Sequence, residues 1–284
     1  LDVVDTINEH AIGFSAAHPQ NMINSSDTLN WFMRPFTGSI QVYRENSDIR
    51  KQIGIIPNIK RIPFMHSFAV TQNYMILFHY PLLLDLPQIM TAQCLKDVLR
   101  WNPKLKTRIY ILDLHSTCPQ QKPIARFDVP AFYSMHVINS FEEDDMITID
   151  LIGYDSADFL IRNETFGILS QMKDECSRNS SNVDHVIKPY QKRLVLKLPS
   201  TREYALGRYI GNSSSLHQVC AKIQPNEIYD ILQNSQRHMF EMPSINREYR
   251  GKNYTFVYGV GNSNKFQNWS IVKHNVQTQK QKVW

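Results

Sequence analysis

Charged side chains are scarce in this 284-residue chain, 20% of the total, and they never gather into a run of five or six of one sign. The surplus of 31 basic over 26 acidic residues spreads a net +5 thinly, so no nucleic-acid-binding surface is expected. Cysteine is limited to Cys94, Cys118, Cys176 and Cys220, far apart and without a CxxC pair. That excludes a disulfide-stapled domain or a cysteine-held zinc, and points to a reducing compartment. With 10 glycines and 14 prolines the chain is neither collagen-like nor of low complexity. The most apolar stretch, Tyr74 to Leu86, is interrupted by His79, Pro81 and Asp85, and is too short for the roughly 30 Å of a bilayer's hydrocarbon core. Gly259-Val260-Gly261-Asn262 lacks the spacing of a nucleotide loop, and no serine between glycines marks a hydrolase elbow. The chain opens at Leu1 without a leader, from which an internal fragment of a longer protein is expected. Asn-x-Ser/Thr tripeptides begin at Asn24, Asn163, Asn179, Asn212, Asn253 and Asn268; without a signal peptide they read as chance occurrences.

Hydrophobic residues make up 42%, enough for a sizeable core. Short runs of β-branched and aromatic residues recur: Ser39 to Arg44, Phe68 to Phe78, Thr107 to Asp113, Ile124 to Val129, Met146 to Tyr154, Arg193 to Leu198, Tyr254 to Tyr258 and Trp269 to Val276. Turn formers at Thr71-Gln72-Asn73 and at Glu142 to Asp145 predict antiparallel meanders. Helices are expected over Gln88 to Arg100, Asn226 to Asn234 and, more weakly, Ala157 to Lys173. Ser177 to Asp184 reads as a long exposed loop. Few helices, out of step with the strands, disfavour a parallel sheet, leaving an all-β sandwich or a β-propeller.

Three of the ten histidines interrupt small or apolar residues: His18 in Ala17-His18-Pro19, His66 in Met65-His66-Ser67 and His136 in Met135-His136-Val137. An imidazole in such a setting needs a hydrogen-bond partner or a metal. Their separations are too long for a finger or helical motif. They suit donors delivered from different structural units, although each taken alone reads more simply as a satisfied core histidine. The run Glu142, Glu143, Asp144, Asp145 lacks the spacing of a calcium loop and reads as a solvated turn.

At these residues a resemblance enters. Pro63-Phe64-Met65-His66-Ser67-Phe68-Ala69-Val70-Thr71-Gln72-Asn73-Tyr74 resembles the His-Ser-Phe-x-x-Thr-x-Asn-Tyr signature of the carotenoid cleavage oxygenases. Met135-His136-Val137-Ile138-Asn139-Ser140-Phe141-Glu142, continuing through Ile149 to Tyr154, is similar to a second family segment. Ala17-His18-Pro19 matches a third; Phe240-Glu241-Met242-Pro243-Ser244-Ile245-Asn246 with Tyr254 to Gly259 matches a fourth, all in family order. The likeness runs from about Ala16 to the end and favours the animal branch of β-carotene oxygenases and the retinoid isomerohydrolase.

The resemblance implies a seven-bladed β-propeller with capping helices, here one domain over 1–284 lacking its N- and C-terminal portions. It implies ferrous iron (Fe2+) on the axis, with His18, His66 and His136 as three of four histidine ligands and Glu241 as a carboxylate behind His136. The fourth histidine and two further glutamates are expected outside this chain; His274 does not match the last ligand motif, and His79 reads as a local substitution. The implied reaction is dioxygenase cleavage of a conjugated double bond of a carotenoid or apocarotenoid by O2. Retinoid isomerohydrolysis, a three-histidine zinc site and a non-catalytic propeller binding apolar ligands are the alternatives. Phe64, Met65, Phe68, Phe132, Tyr133, Met135 and Met242 flank the proposed ligands and are candidates to line a polyene tunnel, or core. An apolar substrate held in lipid leads to the expectation of a cytoplasmic protein with peripheral membrane contact.

Overall fold

In a computed structural model, residues 13–34, 37–47, 49–89, 91–92, 95–161, 189–198, 229–230, 240–262 and 269–284 are described. The chain lays down four antiparallel sheets one after another. The first holds β1 (Phe14–Ser15), β2 (Gln20–Asn21), β3 (Thr28–Met33), β4 (Ser39–Glu45) and β5 (Arg50–Pro57); β1 and β2 both pair with β3. The second begins with β6 (Ala69–Val70) and β7 (Tyr74–His79). A two-stranded ribbon of β8 (Leu82–Leu84) and β9 (Leu99–Trp101) follows, and β10 (Thr107–Asp113) and β11 (Ala125–Val129) complete the sheet in the order β11-β10-β7-β6. The third sheet is β12 (Tyr133–Glu143), β13 (Met146–Tyr154), β14 (Tyr190–Lys197) and β15 (Tyr229–Asp230); the fourth is β16 (Phe240–Ser244), β17 (Phe256–Asn262), β18 (Trp269–Asn275) and β19 (Gln281–Val283).

Burial explains the stacking. In β3 (Thr28–Met33) exposure alternates residue by residue, the mark of a sheet with one covered face. In β7 and β13 every residue after the first is buried, so these two sheets are covered on both faces. Contacts follow chain order. The Ile55 amide donates to the Gln121 carbonyl at 2.8 Å, joining the first two sheets, and a Cβ on Gly54 would stand 2.7 Å from Leu112, so only glycine lets them approach. Ser140 Oγ donates to the Val70 carbonyl at 2.9 Å between the second and third. Tyr254 donates to Asp150 at 2.8 Å between the third and fourth. Asp150 has no exposed side-chain surface and also takes two bonds from Arg193, each 2.7 Å; removing one partner of such a buried pair costs about 3–5 kcal/mol. The far face of the fourth sheet presents Phe256, Tyr258 and Ile271 to solvent, with the Lys273 ammonium 3.9 Å from the Phe256 ring centre.

The turns at 71–73 and 144–145 form as expected, and all the pairings are antiparallel. The helix expected over Gln88 to Arg100 does not form as one piece. Single turns α1 (Leu86–Ile89) and α2 (Leu95–Val98) are followed by β9, because buried Leu82, Leu83 and Leu84 take Trp101, Arg100 and Leu99 as ladder partners. Tertiary pairing overrides local periodicity there. Within Asn226 to Asn234, Tyr229–Asp230 pairs as a strand with β14, not as helix; the remainder lies outside the described residues. Of Ala157 to Lys173, α3 (Asp158–Ile161) is helical and the part from residue 162 on lies outside the described residues, as does Ser177 to Asp184.

His79 is 9% exposed and its Nε2 meets the Arg61 carbonyl at 3.1 Å, so the ring acts as a neutral packing group. Burial holds its pKa below the ordinary value, the Arg61 carbonyl opposing and Arg108 adding to the shift. Between the lowered and the ordinary value only the unfolded chain takes the proton; the stabilisation is complete above about pH 6.5 and is lost as pH falls below it. Urea melts at about pH 7.5 and about pH 5.5 should show that loss. His79→Gln, which keeps a donor for Arg61 without a titrating ring, should lose less over the same interval; an equal loss assigns the acid sensitivity to other groups.

Candidate metal centre

Each sheet brings one residue to the site from its first strand or from the chain beside it, where regular pairing is interrupted or has not yet begun. His18 sits in the gap between β1 and β2. His66 lies three residues ahead of β6. His136 is inside β12, within the register shift between Ser134 and Val137, and a second shift between Val137 and Asn139 follows it. Glu241 is in β16, beside a shift between Glu241 and Ser244 where Met242 takes a left-handed φ of 53°. Such irregularities re-aim a side chain that a regular pleat would send to one face.

One ring nitrogen from each of His18, His66 and His136 lies within 4.8 Å of the others. Nε2 of His18 and Nε2 of His66 are 2.9 Å apart, and the ring centres of His18 and His66 stand 5.4 and 5.3 Å from that of His136. A 2.9 Å spacing is that of a hydrogen bond between the two rings, and it also matches the roughly 3.0 Å between two donors each about 2.1 Å from one ion and at right angles to it, so the pair can accept a shared cation without moving far. Burial, then the nearby His136 and His18, pushes the His66 pKa down to about 4, Glu241 opposing; burial and His136 lower that of His18. Both rings are therefore neutral at pH 7 with lone pairs available, the state that a metal ligand requires. A set of three imidazoles without a carboxylate suits zinc, copper, nickel or iron rather than calcium or magnesium.

Behind His136, Nδ1 meets Glu241 Oε2 at 2.6 Å. A carboxylate accepts only, so Nδ1 carries the hydrogen and Nε2 is left as the donor atom. Glu241 is itself fixed: Tyr154 donates to its Oε1, and the Met242 amide donates to Oε2 at 2.9 Å. Tyr154 is buried and stacks on Phe159 with ring centres 4.4 Å apart. Burial and the Glu241 carboxylate push its pKa up, so the phenol keeps its proton and stays a donor.

His18, His66, His136 and Glu241, singled out in the sequence, thus come together. His274 does not join them; it is buried in the fourth sheet, its ring centre 5.9 Å from that of Phe240. Among the tunnel candidates Met65, Phe68, Phe132 and Tyr133 are at most 3% exposed and read as core, and Met242 is 67% exposed. Phe64 and Met135 are half-buried, with surface to offer. Glu142 is more than a solvated turn residue: its two oxygens accept from the Asn73 amide at 2.9 Å and Asn73 Nδ2 at 2.8 Å. Sequence reasoning did not assign Tyr154, Ser67 or Asn139, although all lie inside the quoted motifs.

Removing Glu241 should weaken metal binding more than removing Tyr154. Chelator competition on the metal-loaded protein should show a loss of roughly 10- to 100-fold for Glu241→Ala and a smaller one for Tyr154→Phe. Unchanged affinity in Glu241→Ala would deny the carboxylate its role behind His136.

Known proteins resemble both the sequence and the fold. The chain is 26% identical over 233 residues to a human β,β-carotene 15,15'-dioxygenase, covering 78% of this chain and 39% of that protein. It is 23% identical over 302 residues to a carotenoid isomerooxygenase of Galleria mellonella, covering 100% and 51%. The crystal structure of a cobalt-substituted Synechocystis apocarotenoid oxygenase superposes with a TM-score of 0.60 at 16% identity, over 96% of this chain and 50% of that one. The chain thus spans about half the length of such relatives. The sequence model of the retinal pigment epithelial membrane protein family (RPE65) matches residues 2–284, and this protein therefore belongs to the RPE65, or carotenoid oxygenase, family.

Proposed function

We propose that the protein is a non-haem iron(II) dioxygenase that cleaves a conjugated carbon–carbon double bond of a carotenoid or apocarotenoid. Each carbon of that bond takes one atom of O2, giving aldehydes or ketones such as retinal. The convergence of His18, His66 and His136, in a family whose relatives are named as carotenoid dioxygenases, carries this reading. In it the four sheets are consecutive blades of a seven-bladed propeller, residues 1–284 are part of one domain, and a fourth histidine comes from outside them.

Ferrous iron, when bound, supplies the one-electron chemistry by which O2 reacts with a closed-shell polyene. The chain's part is to hold it. Neutral His18 and His66 offer lone pairs without lowering the charge of the ion, as carboxylates would. Glu241 holds the proton on Nδ1 of His136 so that Nε2 faces the cluster, and Tyr154 keeps Glu241 from turning away. Phe64, two residues before His66, and Met135, next to His136, give apolar and polarizable surface for a polyene. A second reading, cleavage coupled to double-bond isomerisation, is favoured by the Galleria mellonella isomerooxygenase, whose match spans the whole chain.

Such a substrate is drawn from lipid, which suits a cytoplasmic protein with peripheral membrane contact; none of the described helices is long and apolar enough to cross a membrane. Flotation with liposomes should carry the protein into the lipid fraction, and its complete absence there counts against membrane contact. Elemental analysis of the complete protein should find iron, lost in His66→Ala and His136→Ala; zinc or no metal overturns the oxygenase reading. With β-carotene and apocarotenoids, chromatography should find two carbonyl molecules formed per double bond cleaved, of one kind where a symmetric substrate is cut at its centre and of two kinds otherwise. A cis-configured product supports the isomerising alternative.

A further inference from the structure

We infer that Arg250 and Asn139 are positioning residues: through the turn at 246–252 they fix where the β1–β2 segment carrying His18 stands relative to the strand carrying His136. The inference rests on the metal-centre reading above.

The segment carrying His18 is weakly held from within its own sheet. β1 and β2 are two residues each, pair only with β3, and leave residues 16–19 unpaired between them. No ladder joins either piece to β12 or β16. Of the bonds between the first sheet and the second, those at Ile55 and Gln52 lie on β5, at the other end of the sheet order from β1, and the one near His18, from Asn24 Nδ2 to Gln72 Oε1 at 3.2 Å, is a single exposed bond. A donor set that must meet within a few tenths of an ångström needs a closer anchor.

The turn after β16 supplies one. Arg250 Nη2 donates to the carbonyl of Asn21 and lies 3.4 Å from Gln20 Oε1, on β2 just past His18. Next to it Gly251 has φ +75°, and a Cβ there would stand 3.1 Å from Ile23. The turn therefore rests closely on Ile23, which would have to give way by a few tenths of an ångström to admit a side chain at 251. Its other end is clamped by Asn139, three residues beyond His136 on β12. Asn139 Nδ2 donates to the carbonyls of Tyr249 at 3.0 Å and Lys252 at 2.9 Å, and Oδ1 accepts from the Gly251 amide at 3.0 Å. Three bonds to one amide hold the second half of the turn, at residues 249, 251 and 252. Within the turn, Asn246 Oδ1 accepts from the Glu248 amide at 3.1 Å. The turn also begins just after β16, the strand of Glu241, so one short segment links the chain at His18 with the strands of His136 and Glu241.

The test is cobalt(II) titration of the complete metal-free protein, read by visible absorption, whose bands report the number and arrangement of donors. Arg250→Met keeps an unbranched apolar stem and removes every donor; Arg250→Lys keeps one donor for the Asn21 carbonyl. Arg250→Met should weaken cobalt binding roughly tenfold and shift the bands, with little change in melting temperature, and Arg250→Lys should recover most of both. Asn139→Asp, which sets a carboxylate against the Tyr249 and Lys252 carbonyls, should act in the same direction, and it decides the matter if Arg250→Met does not fold. Wild-type affinity and bands in Arg250→Met and Asn139→Asp overturn the inference, as does a loss that Lys does not restore and that follows the melting temperature alone. If the unsubstituted protein takes up no cobalt, or His66→Ala takes up as much, the metal-centre reading itself fails, and the inference falls with it.

Discussion

Among the described residues no β-ladder joins neighbouring sheets, so the distance between residues on different first strands depends on core packing and on lateral bonds, many of them from side chains. The second and third sheets show this best. Ser67 Oγ donates to the Met135 carbonyl at 2.5 Å, linking the residue after His66 to the residue before His136. Ser140 reaches the Val70 carbonyl, and Glu142 holds the Asn73 backbone amide and side chain. These bonds run along β6 and β12 in order, and a slip of either strand would break them together. Without that fixed register, imidazoles from different sheets would not arrive within 4.8 Å of one another.

Neutrality is the second condition, and the fold imposes it by burial and by crowding of imidazoles, which disfavours a second positive charge. His136 differs in having a carboxylate at its back. One side of the centre thus supplies nitrogens whose protons have been driven off, and the other a nitrogen whose tautomer is fixed by an acceptor, two routes to the same exposed lone pair.

Much of the sheet structure was legible from residue type. Thr107–Asp113 and Met146–Tyr154 form strands with the expected limits, because β-branched and apolar residues dominate there. β12 and β16 did not announce themselves as strands. The register shifts around His136 and the Met242-Pro243 break after Glu241 destroy the alternation by which a strand is read, yet those breaks aim the functional side chains. The site residues were legible through their motifs instead. Tyr154 and Asn139 were not, because what they do depends on partners, Glu241 and the turn at 246–252, that are remote in the sequence and adjacent only once the sheets have stacked.

The three histidines and Glu241 lie on or beside first strands, with Tyr154 at the end of β13 behind them, and β4, β5, β18 and β19 bring no side chain to the centre. Substitutions on those four strands that keep their pattern of buried and exposed residues should leave the donor positions unchanged. The cluster can thus persist while the sheets around it diverge.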